Sequence, residues 1–312
     1  MTLSRGPARQ ALAWRLFAAA AMALLLAACQ TAPPAPPTPP AAPAAVPTIP
    51  KPPPKPPRVG LALGGGAARG FAHIGVIQVL EEVGIKPDLV VGTSAGSLVA
   101  ALYASGKTGQ EMATLALGMD EGAITDWSFP TRGLIRGEAL ARYVREQTGG
   151  RTIEQMKLPL GIVATDLDSG AAILFERGDT GVAVRASSAV PAVFQPVRIG
   201  SREYVDGGLV SPVPVRFARQ MGADVVVAVD ITSPPEGNAT GDVMKMLLQT
   251  FAIMGRSINQ FELRGADVVL RPVLTGMSSA DFSSRQRAIQ AGREVATRLL
   301  PELKASIARF SH

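Results

Sequence analysis

Two residue types common in enzyme sites are nearly absent from this chain. Its 312 residues contain one cysteine, Cys29, and two histidines, His73 and His312. With a single thiol no internal disulfide can form, so the fold must hold by packing alone. A Ser-His-Asp triad would have to draw on those two histidines. His312 is the terminal residue, a position prone to fraying. His73 falls one turn into a helical pattern, where a packing residue bonded to backbone is expected rather than a general base. An excess of one charge is missing as well. The formal +6 comes from six basic residues in the first 58, and Val59 to His312 carries 25 basic and 25 acidic residues. A neutral folded region gives no electrostatic support for a nucleic-acid partner.

What is present begins with a targeting pattern. Arg5, Arg9 and Arg15 precede an unbroken apolar run of thirteen residues, Leu16 to Ala28. Such a run is short for a bilayer span and suits a signal-peptide core. It ends in Leu26-Ala-Ala-Cys29, which resembles the lipobox of bacterial lipoproteins, with Cys29 as the lipidated residue; an ordinary secretory signal is the alternative. Gln30, and not aspartate, follows, which by the same resemblance implies an outer-membrane anchor facing the periplasm. Residues 31–57 hold fourteen prolines. They read as an extended polyproline tether of roughly 80 Å at about 3.1 Å per residue, or as a plain disordered linker. The expected division is a signal peptide at 1–28, a lipidated tether at 29–57 and one folded domain at 58–312.

Within that domain, short apolar runs alternate with helical spacing. Strands are expected at Val59–Leu63, Asp88–Val91, Leu160–Ala164, Ala172–Phe175, Val225–Val229 and Val268–Leu270. Helices are expected at Gly70–Val83, Ser97–Ala104, Val213–Met221, Val243–Leu263 and Ala288–Leu300. Continuous apolar strands between helices predict an α/β fold, its central sheet mostly parallel and covered by helices on both faces.

Three elements carry chemistry. Gly92-Thr-Ser94-Ala-Gly96 follows a strand and opens a helix, the context of a nucleophile elbow. Small neighbours are needed there because a side chain two positions away would clash across the turn. The helix aims its positive end at Ser94, which favours an alkoxide and a later oxyanion. Gly64-Gly-Gly-Ala-Ala-Arg-Gly70 lies between the first strand and helix. It lacks the Lys-Ser/Thr of a P-loop and the spacing of a dinucleotide fingerprint, while an oxyanion hole needs only two or three aimed N–H groups. Asp206-Gly207-Gly208 follows Tyr204-Val205 and could be a simple turn. With no suitable histidine, a carboxylate remains as the base for Ser94, and this requires a dry site with strong alkoxide stabilisation.

In this order the three elements resemble the patatin-like phospholipase family. The resemblance extends from Val59 to about Val229. It includes Leu61 to Val76, Val91 to Gly96, Ala164-Thr-Asp-Leu167, Ala186 to Phe194 and Val205-Asp-Gly-Gly-Leu209. It implies a three-layer patatin-like fold and a dyad of Ser94 and Asp206. It also implies an oxyanion hole from the backbone of Gly65, Gly66 and neighbours such as Ala67, with Arg69 shaping the loop or meeting the oxyanion. Gly92 and Gly96 would serve the elbow, Gly207 and Gly208 the turn after the aspartate. The implied chemistry is hydrolysis of acyl esters in lipids, without metal or other cofactor. One departure stands out: Ala67 occupies the middle glycine of the family's G-x-G-x-x-G, and alanine disfavours positive φ. Ser187 and Ser188 read as structural.

The helix at 243–263 carries Met244, Leu248, Phe251, Met254, Ile258 and Phe261 at helical spacing. That suits a core helix, or an adaptable lid or acyl-chain wall. Two rivals to a phospholipase remain at this stage: a short-chain esterase or thioesterase on the same dyad, and a non-catalytic scaffold tethered to the envelope.

Overall fold

Runs of Val, Ile, Leu and Ala without polar interruption can be buried on both faces, and here they build the centre of one sheet. The computed structural model describes residues 56–120, 122, 126, 132–232, 240–278 and 281–310; the expected signal at 1–28, nearly all of the expected tether at 29–57 and His312 lie outside them. The strands are β1 (Val59–Leu63), β2 (Leu89–Thr93), β3 (Gly133–Ile135), β4 (Leu160–Asp166), β5 (Ala172–Phe175), β6 (Ala192–Phe194), β7 (Val197–Ile199), β8 (Arg202–Asp206), β9 (Val225–Val229) and β10 (Val268–Leu270). The helices are α1 (Phe71–Glu82), α2 (Ala95–Ala104), α3 (Gly109–Gly118), α4 (Glu138–Gln147), α5 (Thr180–Ser187), α6 (Val215–Gln220), α7 (Val243–Glu262) and α8 (Arg285–Arg309).

The main sheet runs β10-β9-β1-β2-β4-β8-β7. The five strands from β10 to β4 are mutually parallel, while β8 and β7 are antiparallel additions. Alternation along β1 divides the core. Val59, Leu61 and Leu63 join one apolar cluster with α1, α2, α3 and α8, and Ala62 joins another with Val215, Phe217 and Ala218 of α6. Helices on both faces make three layers, as the apolar runs imply.

The end of β4 decides where the chemistry lies. One of its edges pairs with β2 as far as Thr93 opposite Val163. The next residue, Ala164, pairs with Asp206 of β8. The other edge is taken by β5, which spans Ile162 to Thr165. So β2 and β8 follow each other along one edge, and the residue after Thr93 meets the last residue of β8.

Some boundaries differ from the sequence expectation. β4 extends to Asp166 because Thr165 and Asp166 complete the ladder to β8. The expected helix at 213–221 contracts to α6, since Pro212 and Pro214 delay its start. α8 continues through Pro301 to Arg309, with Leu303 buried beyond the proline.

Helices α1 and α8 cross at backbone contact. A Cβ on Gly75 would strike the Ile289 carbonyl, and one on Gly292 would strike that of Ala72. Leucine at Gly292 would have to push two backbones apart. Gly292→Leu should destabilise the fold by about 3 kcal/mol, read as a lowered urea midpoint; an unchanged midpoint would contradict this crossing.

Candidate active site

Ser94 is the single residue between β2 and α2. It holds φ 52 and ψ −124, a left-handed region that L side chains avoid. Gly92 and Gly96 make the turn possible: a Cβ on Gly92 would hit the Gly96 carbonyl, and one on Gly96 would hit that of Leu63. The strained residue is held from several sides. Its N–H donates to Ser187 Oγ at 2.9 Å, and Ser187 Oγ donates to the Val163 carbonyl at 2.5 Å. Its carbonyl accepts from Ser97 N at 2.8 Å and from Ser97 Oγ at 2.6 Å. The Ser94 side chain therefore sits at the positive end of α2 on a fixed backbone.

Asp206 is buried. Its N–H donates to Ala189 O at 3.0 Å, and its carbonyl accepts from Thr165 Oγ1 at 2.8 Å. Oδ1 accepts from Gly208 N at 2.6 Å, which makes the Asp-Gly-Gly turn a support for the carboxylate. Oδ2 is buried with no partner at hydrogen-bonding geometry among the described residues. Burial pushes the carboxyl up to about 6, opposed by the Ser94 hydroxyl first and the Gly208 N–H second. The Ser94 hydroxyl thus lies near enough to the carboxylate to favour its charged form.

The glycine loop lies against the same serine. The Cβ that Gly65 lacks would stand 3.1 Å from Ser94 Cβ. The expectation that Gly65 donates to an oxyanion needs correction, because its N–H is engaged by the Pro212 carbonyl at 2.9 Å. Gly64 N–H is likewise taken, by Val229 O at 3.0 Å. The N–H groups of Gly66 and Ala67, ahead of the 3₁₀ turn Ala67–Gly70, have no such partner among the described residues. Ala67 takes φ 48, so it occupies the left-handed position despite its methyl, at a cost of about 1 kcal/mol. Arg69 is buried and its Nε reaches the Gly66 carbonyl at 3.4 Å, so it braces the loop. Burial lowers its pKa to about 10 against the opposing charge of Asp230.

His73 is wholly buried, with Nε2 2.8 Å from the Gly64 carbonyl, which requires a proton on that nitrogen. Burial lowers its pKa to about 4. It is a neutral brace for the loop, as its place in the helix suggests. Ser187, structural by sequence, has a more specific place, directly under the Ser94 N–H. Its position before the Val190-Pro191 turn carries no signal of that contact, which depends on how α5 packs over β4.

Ser94, Asp206 and the Gly66–Ala67 backbone thus converge at the carboxyl ends of parallel strands. A hydroxyl on a strained turn, a carboxylate with an open oxygen and free N–H donors can together support acyl transfer.

The chain belongs to the patatin-like phospholipase family, whose pattern matches residues 61–219. That segment runs from β1 through α6 and contains the whole cluster. An uncharacterized NTE family protein of Mycobacterium bovis is 39% identical over 185 residues, covering 58% of this chain and 51% of that protein. Another, from Mycobacterium tuberculosis, is 30% identical over 268 residues, covering 76% and 46%. Patatin-like phospholipase domain-containing protein 6 of Mus musculus is 35% identical over 186 residues, 57% of this chain and 14% of that protein. The chain thus spans about half the length of the mycobacterial relatives. Among solved structures, VipD from Legionella pneumophila superposes with a TM-score of 0.54 at 16% identity, over 79% of this chain and 67% of that one, a likeness of fold.

The raised carboxyl pKa sets a stability test. The folded protein keeps on Asp206 a proton that the unfolded chain releases between about pH 4 and about pH 6, so the site costs stability as pH rises through that window. Asp206→Asn removes the charge. At pH 8 the variant should be more stable than the parent by on the order of 2 kcal/mol, and the gap should close towards pH 4. Urea unfolding at both pH values reads this; a variant less stable at pH 8 would show that the carboxylate is well solvated or paired.

Proposed function

We propose that this chain is a serine acyl hydrolase that cleaves fatty-acyl esters of phospholipids or lysophospholipids, with Ser94 as nucleophile and Asp206 as its base. The observation that carries the reading is the buried Asp206 carboxylate, one oxygen unpartnered, beside a strained serine at a helix N-terminus. Membership of a family named for phospholipases supports the lipid substrate class.

The mechanism follows from these groups. Asp206 takes the proton of Ser94 as Oγ bonds to the ester carbonyl carbon. The carbonyl oxygen becomes an oxyanion, met by the N–H groups of Gly66 and Ala67 and by the dipole of α2. Collapse breaks the ester C–O bond, and Asp206 passes its proton to the leaving alcohol. Water then gives a proton to Asp206 and its oxygen to the acyl carbon. The fatty acid leaves and Ser94 recovers its proton. A buried carboxylate raised to about 6 is a better base than an exposed one and stays ionised at neutral pH.

Hydrolysis by the purified protein should be measured on phospholipids, lysophospholipids and simple esters. Ser94→Ala and Asp206→Asn should each lower kcat/KM by about three to four orders of magnitude, and the double variant should fall no further. Activity that survives Asp206→Asn but is lost in His73→Asn would overturn the choice of base.

The proposal extends to location. Cys29 is lipidated and the proline-rich tether holds the domain near the periplasmic face of an outer membrane, a reading supported by the apolar run ending at Cys29. Cys29→Ser should move the protein from membrane to soluble fractions or block its processing. Recovery of the parent protein wholly in the soluble fraction would refute the anchor.

A further inference from the structure

The two residues of the proposed dyad come from strands that do not pair with each other. Ser94 follows β2 and Asp206 ends β8, and both strands make their ladders with β4. Those ladders fix each residue to β4 and not to its opposite number. The gap across which a proton would pass needs a further constraint, because a misplacement of about 1 Å can cost on the order of a hundredfold in rate.

The end of α5 touches both residues. Ser187 Oγ accepts from the Ser94 N–H at 2.9 Å and donates to the Val163 carbonyl at 2.5 Å. Two residues on, the Ala189 carbonyl accepts from the Asp206 N–H at 3.0 Å. The Val163 carbonyl lies against the turn after the aspartate, since a Cβ on Gly207 would strike it. One hydroxyl thus stands between the backbone of the serine and the strand end that carries the aspartate. A second tie, from Thr93 Oγ1 to the Ser211 carbonyl at 2.9 Å, joins residues beside the dyad and not the dyad itself.

The segment is held in place from several directions. Ser187 and Ala189 are wholly buried. Ala186 and Ala189 pack in one apolar cluster with Val197, Tyr204 and Ala164, the ladder partner of Asp206. At the far end of α5, Asp179 accepts from the Val182 N–H at 2.8 Å, and Thr180 Oγ1 donates to the Arg151 carbonyl at 2.8 Å. A serine hydroxyl inside a helix commonly turns back on its own backbone, whereas that of Ser187 leaves α5 for two other elements.

We infer that Ser187 is a positioning residue which, with the Ala189 carbonyl, clamps Ser94 and Asp206 at the separation that proton transfer requires. This rests on the dyad reading of the site. Without the hydroxyl, the Ser94 N–H and the Val163 carbonyl lose their partner, and the serine at φ 52 is free to relax. Its side chain then withdraws from Asp206, and the contact that opposes the effect of burial on that carboxyl is lost. Loss of the clamp is therefore readable in the pH profile as well as in the rate.

The test compares Ser187→Ala, Ser187→Thr and Thr180→Val in the full chain, with hydrolysis of a soluble ester followed across pH. Ser187→Ala should lower kcat on the order of a hundredfold and leave KM within about twofold. Its kcat/KM midpoint should climb from about 6 towards about 7. Ser187→Thr keeps the hydroxyl and should restore the parent's midpoint and bring kcat to within about threefold. Thr180→Val loosens the opposite end of α5; it should lower the urea midpoint and leave kcat and the pH midpoint as in the parent. An unmoved pH midpoint in Ser187→Ala overturns the clamp, as does a Thr180→Val profile that shifts in the same way. If Ser187→Ala does not fold, Ser187→Cys, a weaker acceptor of similar shape, must show the same two changes to a smaller degree, and their absence counts equally against the clamp. Asp206→Asn assayed alongside separates the two claims. An active Asp206→Asn refutes the dyad reading, while an inactive one beside an unmoved Ser187→Ala midpoint refutes the clamp alone.

Discussion

A carboxylate buried with one oxygen unpaired is expensive, and most of the structure around Asp206 serves to keep it there. The ladder of β8 against β4 fixes its backbone, Thr165 and Ala189 hold its carbonyl and N–H, and Gly208 satisfies one oxygen. The other, Oδ2, is buried without a hydrogen-bond partner among the described residues. In the proposed dyad the Ser94 hydroxyl relieves that charge, and the charge draws off its proton. The cost is local, and the sheet with its three apolar clusters is large enough to carry it.

The second expense is backbone strain. Ser94 and Ala67 both adopt positive φ without being glycine, and they flank the cleft from two different loops. Neither loop could hold that geometry alone. Ser187 fastens the first from below through the Ser94 N–H, while Arg69, His73 and the Pro212 carbonyl fasten the second. Because Pro212 lies in the segment that also carries Ser211, and Ser211 bonds both Thr93 and Glu262, the loop, the elbow and α7 share one polar framework. Any movement of α7 would be felt at the strained serine through those bonds.

Much of this was legible in the sequence, for stated reasons. The continuous apolar strands announced a covered parallel sheet because only such a sheet buries both faces of a strand. The elbow was legible because small residues flank Ser94 where an apolar strand gives way to a helix; Gly92 passes close to Gly96, and Gly96 to the Leu63 carbonyl. The scarcity of histidine argues against the usual base, and the burial of His73 against Gly64 agrees with that. Other features were hidden. Gly65 looks like its neighbours in sequence, yet its N–H is committed to Pro212, a residue 147 positions away. Ser187 gave no sign of its bond to Ser94, since only the packing of α5 over β4 creates it. The antiparallel β7 and β8 are short and half polar, so their period was weak, although β8 is the strand that delivers Asp206. The spacing in α7 showed an amphipathic helix but could not show that its apolar residues divide between a packed face and an exposed stripe.

The most direct test of the Ser94–Asp206 pairing is the dependence of kcat/KM on pH for a soluble ester, measured on the parent protein and on His73→Asn. A buried carboxyl at about 6 must lose its proton before it can accept one from Ser94, so the rate should fall below about pH 6, tenfold per unit, with the same midpoint in both proteins. A rate that stays level down to about pH 4, or a midpoint that moves when His73 is replaced, would contradict Asp206 as the base.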